Sequence, residues 1–303
     1  MLVLQSCTLC PRECRVNRIE GERGYCGMDA GLNIASVCIH KGEEPVISGK
    51  GGICNVFFAG CNLHCVYCQN HEISQPGRVY KNKNTNLNEL LTQISSILSQ
   101  GINSIGFVSP SHMAHQVREI IEGLNANSLN PVTVYNTNSY DKVETLRSLA
   151  DLIDVYLPDY KYVTPELAAE LSGADDYPRV ALKAIREMYY QKGSTLRTDE
   201  NGKAENGLLI RHLVLPGYVE ESKRVLRSIA EEISTGVHIS LMSQYHPAFL
   251  TERHASLGRT LYKAEYESVA EEMERLGFRN GFVQDMDSNV SYRPDFNKEH
   301  PFV

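Results

Sequence analysis

Three cysteines fall within GCNLHCVYCQN, residues 60–70: Cys61, Cys65 and Cys68, spaced C-x3-C-x2-C. Thiolates are soft ligands and select zinc or iron–sulfur clusters over hard cations. A closed structural zinc site takes four protein ligands. Three leave one coordination position open, and an open position is where a metal does chemistry. Zinc could recruit His64 or His71, but His64 stands directly before Cys65, where joint ligation is awkward. A four-iron cluster on three cysteines leaves one iron free for a small molecule, whereas an ordinary ferredoxin supplies a fourth cysteine.

A second set lies upstream: Cys7, Cys10, Cys14 and Cys26, spaced C-x2-C-x3-C-x11-C. Four ligands make a closed site, for zinc as a structural ion or for a second iron–sulfur cluster that relays electrons. Cys38 and Cys54 stand alone and read as small buried hydrophobes. His40, Glu43 and Glu44 in HKGEEP read as a solvated loop, although they could face the same rim as the three-cysteine loop. The start, MLVLQSCTLC, lacks the basic region of a signal peptide. Without a secretory signal, nine cysteines point to metal binding in a reducing, cytoplasmic compartment rather than to disulfides.

These loops must be held by regular elements. The chain has 303 residues and a formal net charge of −7, which gives no electrostatic footprint for nucleic acid. No apolar run is long enough to span a membrane. Residues 1–48 read as a Cys-rich, turn-rich metal-binding extension, and 49–303 as the main domain with a C-terminal extension. From residue 53, apolar strands alternate with helices. Strands are expected at 53–60, 104–109, 131–136, 152–157, 208–215 and 237–242, with a further one near 281–284. Helices are expected at 87–100, from about 112, at 141–150, 165–172, 176–191, 220–233 and near 263–276. Asn86 and Glu89 resemble a capping box opening the first of these, and 192–206 reads as a polar loop. Such alternation implies right-handed βαβ units and an α/β fold with a parallel sheet, closed or partly closed into a barrel.

Ligands of parallel α/β folds sit beyond the C-terminal strand ends. The three cysteines follow the first expected strand there. Ser109, Ser111 and His112 follow the second. Asn136, Thr137 and Asn138 follow the third, Asp159 and Lys161 the fourth, and Gln244 and His246 the sixth. Gln284 and Asp285 lie beyond the last, and Arg211 interrupts the apolar run of the fifth.

GCNLHCVYCQN resembles the CxxxCxΦC loop of radical S-adenosylmethionine (SAM) enzymes, with Tyr67 as the aromatic Φ. Over nearly its whole length the chain is similar to the pyruvate formate-lyase activating enzyme-like group of that superfamily. CTLCPRECRVNR with GYCG resembles that group's N-terminal signature. The resemblance implies a partial (β/α)6 radical-SAM barrel. It also implies a [4Fe-4S] cluster that cleaves SAM to methionine and a 5′-deoxyadenosyl radical, which abstracts hydrogen from a substrate. YLPDYKY, IRHLVLPG and QYHP resemble activase motifs, implying that Asp159, Lys161 and His246 lie near SAM and that Arg211 contacts it. An electron donor such as flavodoxin or ferredoxin and a protein substrate, as for a glycyl-radical activase, are implied as partners.

The chain departs from the activases at three places. VSPSHM, with Ser109, Ser111 and His112, stands where they carry a Gly-Gly-Glu-like turn for the SAM amino group. Asn136 stands where they often have aspartate. No cysteine follows Cys68, so the two-cluster insertion of many activases is missing. The rival reading is a non-catalytic iron–sulfur electron carrier or a zinc-stapled scaffold.

Overall fold

The computed structural model describes residues 2–75, 86–286, 294–296, 298 and 301–302. Its frame is one sheet of nine strands. These are β1 (Ile34–His40), β2 (Ile53–Phe58), β3 (Ser104–Val108), β4 (Val132–Thr137), β5 (Val155–Pro158), β6 (Arg197–Thr198), β7 (Ala204–Leu213), β8 (His238–Met242) and β9 (Gly281–Val283). The order is β1-β2-β3-β4-β5-β7-β8-β9, with β6 paired to β7. Every pair from β2 to β9 along this path is parallel, and β1 joins β2 antiparallel. β1 and β9 are the two ends of the path, so the barrel is open.

Ten helices are described: α1 (Leu2–Gln5), α2 (Pro45–Ser48), α3 (His71–Ser74), α4 (Leu87–Leu98), α5 (Ala114–Ala126), α6 (Val143–Ser148), α7 (Pro165–Ser172), α8 (Tyr177–Lys192), α9 (Val219–Glu232) and α10 (Lys263–Arg275). The longer ones are the crossovers that parallel strands require. α4 starts where Asn86 Oδ1 accepts from Glu89 N at 2.9 Å, an N-cap. It buries Leu90, Leu91 and Ile94 at helical spacing. β2 and β3 are buried at every position, as strands covered on both faces are.

Two features differ from the expected pattern. β1 lies ahead of the boundary expected near residue 48 and extends the sheet. Its register shifts between Ile34 and Ser36, so its apolar residues lose strict alternation and the strand is hard to read from sequence. The expected polar loop 192–206 contains a short hairpin, with Arg197 opposite Asn206 and Thr198 opposite Ala204. Asp199 holds its turn, accepting from the backbone N–H of Asn201 and of Lys203.

Candidate active site

The loop after β2 opens onto a cleft of about 650 Å³ at the C-terminal ends of the parallel strands. Cys61, Cys65, Tyr67 and Cys68 line it, with Ser109, Asn136, Asp159, Lys161 and Arg211 from the neighbouring strand ends. Gly60 enters the loop at φ 73°, and a Cβ there would fall 2.4 Å from the Cys26 carbonyl oxygen. Only glycine fits both constraints. A wider groove of about 1150 Å³ runs between β1 and α4. It gathers no group of thiols or opposed buried charges among the described residues.

Each thiol has a polar neighbour. Asn138 Nδ2 and the Leu63 backbone N–H both reach Cys61 Sγ at 3.4 Å. Cys65 Sγ lies 3.0 Å from Ser172 Oγ, and Cys68 Sγ lies 3.2 Å from Ser74 Oγ. Tyr67 is buried with its hydroxyl 2.5 Å from that of Tyr162, which lies 2.9 Å from Ser172 Oγ. Burial raises all three thiols, and neighbouring thiols add to this at Cys61 and Cys68. Cys68 is pushed up to about 11. As protein alone these are neutral thiols, so a metal must displace their protons.

The thiols fit a cluster by their chemistry: three soft donors from one loop, all facing one cleft. Among the described residues, no three His, Cys, Asp or Glu side chains close up as around one metal ion. The ligands of a multi-iron cluster sit on separate irons and need no such closure.

Opposite the thiols is a buried charge network. Arg211 donates from Nε to Asp159 Oδ1 at 2.8 Å, from Nη1 to Glu43 Oε2 at 3.1 Å and from Nη2 to Asn136 Oδ1 at 2.6 Å. Asn136 and Asn55 each donate to Glu43 Oε1. Lys161 Nζ donates to Asp159 Oδ2 at 2.8 Å. Burial alone would raise Asp159, but Arg211 and Lys161 hold its carboxyl below the usual range. Burial likewise opposes the charge on Lys161, and Asp159 with Cys65 outweighs it. Lys161 therefore stays an ammonium.

Glu43 and Glu44 are wall residues of this cleft, not a solvated loop. The signal was hidden because the buried partner of Glu43, Arg211, lies 168 residues away in the chain. Asn138 was expected on the rim, whereas Asn55, Ser74 and Ser172 are not singled out by the sequence.

Three of the expected cofactor contacts lie outside the cleft lining. Ser111 Oγ meets Thr137 Oγ1 at 3.0 Å behind the rim, in a buried cluster with Asp141. His112 is buried with Nε2 2.8 Å from the Ala59 carbonyl oxygen, and it lines a small void among Cys7, Cys10, Cys14 and Cys26. VSPSHM turns sharply at Ser109, where φ is 55°, and this keeps Ser109 on the cleft while the next residues turn away. His246 lies in the loop after β8, outside the cleft lining. On that side Gln69 Nε2 donates to the Gln244 carbonyl at 3.1 Å, and Gln284 Nε2 to Gln244 Oε1 at 2.9 Å.

Residues 47–173 match a protein family described as a 4Fe-4S single cluster domain. The span is less than half of the chain and contains the three-cysteine loop. The uncharacterized protein MJ0674 of Methanocaldococcus jannaschii is 28% identical over 284 residues, covering 90% of this chain and 75% of that protein. Among solved structures, Streptococcus suis SuiB bound to S-adenosylmethionine superposes with a TM-score of 0.52 at 16% identity, over 77% of this chain and 50% of SuiB. The FeFe-hydrogenase maturase HydG of Carboxydothermus hydrogenoformans superposes with a TM-score of 0.52 at 16% identity, over 81% of this chain and 58% of HydG. The chain thus spans about half the length of these structures. Likeness at such identities shows the fold alone, an open α/β barrel with a largely parallel sheet.

Proposed function

We propose that this protein is a radical SAM enzyme. The observation that carries the reading is the placement of Cys61, Cys65 and Cys68 on one loop, at the end of the first parallel strand, facing a cleft walled by buried charge. A reduced [4Fe-4S] cluster on these thiolates would supply the electron that cleaves SAM, giving a 5′-deoxyadenosyl radical able to abstract hydrogen. The chain's own residues bind and orient. Lys161 offers a cation to a carboxylate, and Asp159 and Arg211 fix the Lys161 ammonium and the rim around it. Glu43 and Glu44 present acid where an ammonium could sit. Asn138, Ser172 and Ser74 orient the three sulfurs. The Tyr67 hydroxyl is held by that of Tyr162, which also meets Ser172 Oγ beside Cys65.

The finer reading is hydrogen abstraction from a protein substrate, as a glycyl-radical activase performs. The YLPDYKY and IRHLVLPG motifs and the open cleft support it. A solved relative in fold, SuiB, is also known bound to its precursor peptide SuiA, at a TM-score of 0.50. The natural reductant in this reading is a small cytoplasmic electron carrier, flavodoxin or ferredoxin. Among the described residues no helix is long and apolar enough to cross a membrane.

The test uses anaerobically purified, iron-reconstituted protein, reduced with dithionite and given SAM. Methionine and 5′-deoxyadenosine are expected in equal amounts. Cys61→Ala, one thiolate short, is expected to lose the cluster's iron and fall to the protein-free background. Cleavage at the wild-type rate in that variant would remove the loop from the chemistry.

A further inference from the structure

We propose that Cys7, Cys10, Cys14 and Cys26 form a second, closed thiolate metal centre whose counter-charge is the buried Arg18. These residues lie outside the span that matches the 4Fe-4S family, and the proposal is independent of the cleft's function. The four cysteines line one small void together with Arg18 and His112. Cys7, Cys10 and Cys26 are buried and Cys14 is half-buried. The chain is folded back to achieve this. Glu13 and Arg15 take φ of 40° and 57°, which non-glycine residues hold only where the surroundings impose it. A Cβ on Gly24 would fall 2.6 Å from Cys14 Sγ, so the segment carrying Cys26 closes on Cys14 only with glycine there.

The independent observation is Arg18. It is 1% exposed. Its Nε and Nη2 donate to the Asp29 carbonyl oxygen at 3.0 and 2.6 Å, and its Nη1 to the His112 carbonyl oxygen at 2.7 Å. Nη2 also lies 3.1 Å from Met113 Sδ, and Nη1 3.9 Å from Cys7 Sγ. Among the described residues no carboxylate pairs with it. The Asp29 carboxylate instead accepts from Gly31 and Asn33 and pairs with Arg23. A buried cation whose hydrogen bonds go only to neutral groups is costly, because the Asp29 carboxylate, which acts on Arg18 without pairing with it, offsets the desolvation only in part.

Four thiolates on a divalent ion, or on a four-iron core of charge two, carry a net charge of about −2. That would put an anion beside Arg18, which as protein alone has no directly paired carboxylate among the described residues. A second unmet group points the same way: His112 Nδ1 is buried and has no hydrogen-bond partner among the described residues. The four side chains do not close up as around a single ion, so metal uptake would bring the sulfurs together and release thiol protons. The centre would brace the back of the cleft loop. His112 meets the Ala59 carbonyl, Arg12 Nε donates to the Asn62 carbonyl at 2.9 Å, and the Cys26 carbonyl sits over Gly60.

The test counts zinc and iron by plasma mass spectrometry in the full chain, reconstituted anaerobically. The Cys61→Ser/Cys65→Ser/Cys68→Ser variant is expected to keep one zinc or about four irons per chain. The Cys10→Ser/Cys26→Ser variant is expected to lose that increment. Arg18→Met should speed metal loss to a chelator by roughly tenfold, as changes to groups behind metal ligands do. An unchanged loss rate would remove Arg18 as the counter-charge. A folded triple variant with neither metal would overturn the centre. Should the triple variant not fold, the difference between the wild-type total and that of the Cys10→Ser/Cys26→Ser variant decides. A total that falls by one zinc or about four irons in the folded Cys10→Ser/Cys26→Ser variant supports the proposal, and an unchanged total overturns it.

Discussion

Glu44 carries a carboxylate oxygen, Oε2, that lies in the cleft wall with no hydrogen-bond partner among the described residues and 4.0 Å from Arg211. Burial raises its carboxyl above the usual 4.5; Arg211 opposes the rise and Glu43 adds to it. The sign of the pH effect follows. Below 4.5 the carboxyl is protonated folded or unfolded and has no effect. As pH rises from 4.5 through the raised folded value, the unfolded chain ionises first and the folded state loses stability. Glu44→Gln removes that effect, so its melting temperature should match wild type in acid and exceed it increasingly towards neutral pH. A gap that stays constant with pH would show that Glu44 is fully paired. The stability given up here is what an ion-receiving site would show before its ligand arrives. Sequence alone showed Glu44 beside Pro45 in a polar stretch, but not the strand-borne arginine it faces.

At the scale of elements, the strand ends do the positioning, and most of them were legible. Six buried strands and their crossover helices follow from apolar runs, helical spacing and the Asn86 cap, because local pattern and global burial agree there. β1 was not legible, since its bulge breaks the period and its pairing with β2 is antiparallel. The aim of the VSPSHM turn was not legible either. It depends on a left-handed Ser109, which composition does not reveal. The loop after β2 shows how tightly an element end is held: Gly60 passes under the Cys26 carbonyl with no room for a methyl group. Gly60→Ala is therefore expected to displace Cys61 and lower cluster iron by more than half, while the far-UV circular dichroism of the barrel stays near wild type. Full iron occupancy in that variant would show that the loop has slack.

For the whole molecule, an open barrel end gathers three thiols, two buried cations and three carboxylates that lie far apart in the chain. The cysteine spacing made the thiols readable. The charge network was readable only in part, because Asp159, Lys161 and Arg211 stand at strand ends while Glu43 and Glu44 reach them across the fold. The central claim is that SAM binds at the cluster on Cys61, Cys65 and Cys68. It is tested most directly by electron paramagnetic resonance of the reduced, reconstituted protein, with and without SAM, in a Cys10→Ser/Cys26→Ser background so that one cluster is observed. The account predicts that SAM changes the line shape and g-values of the reduced cluster. A fully reduced cluster whose spectrum is unaltered by saturating SAM would contradict it and favour an electron carrier.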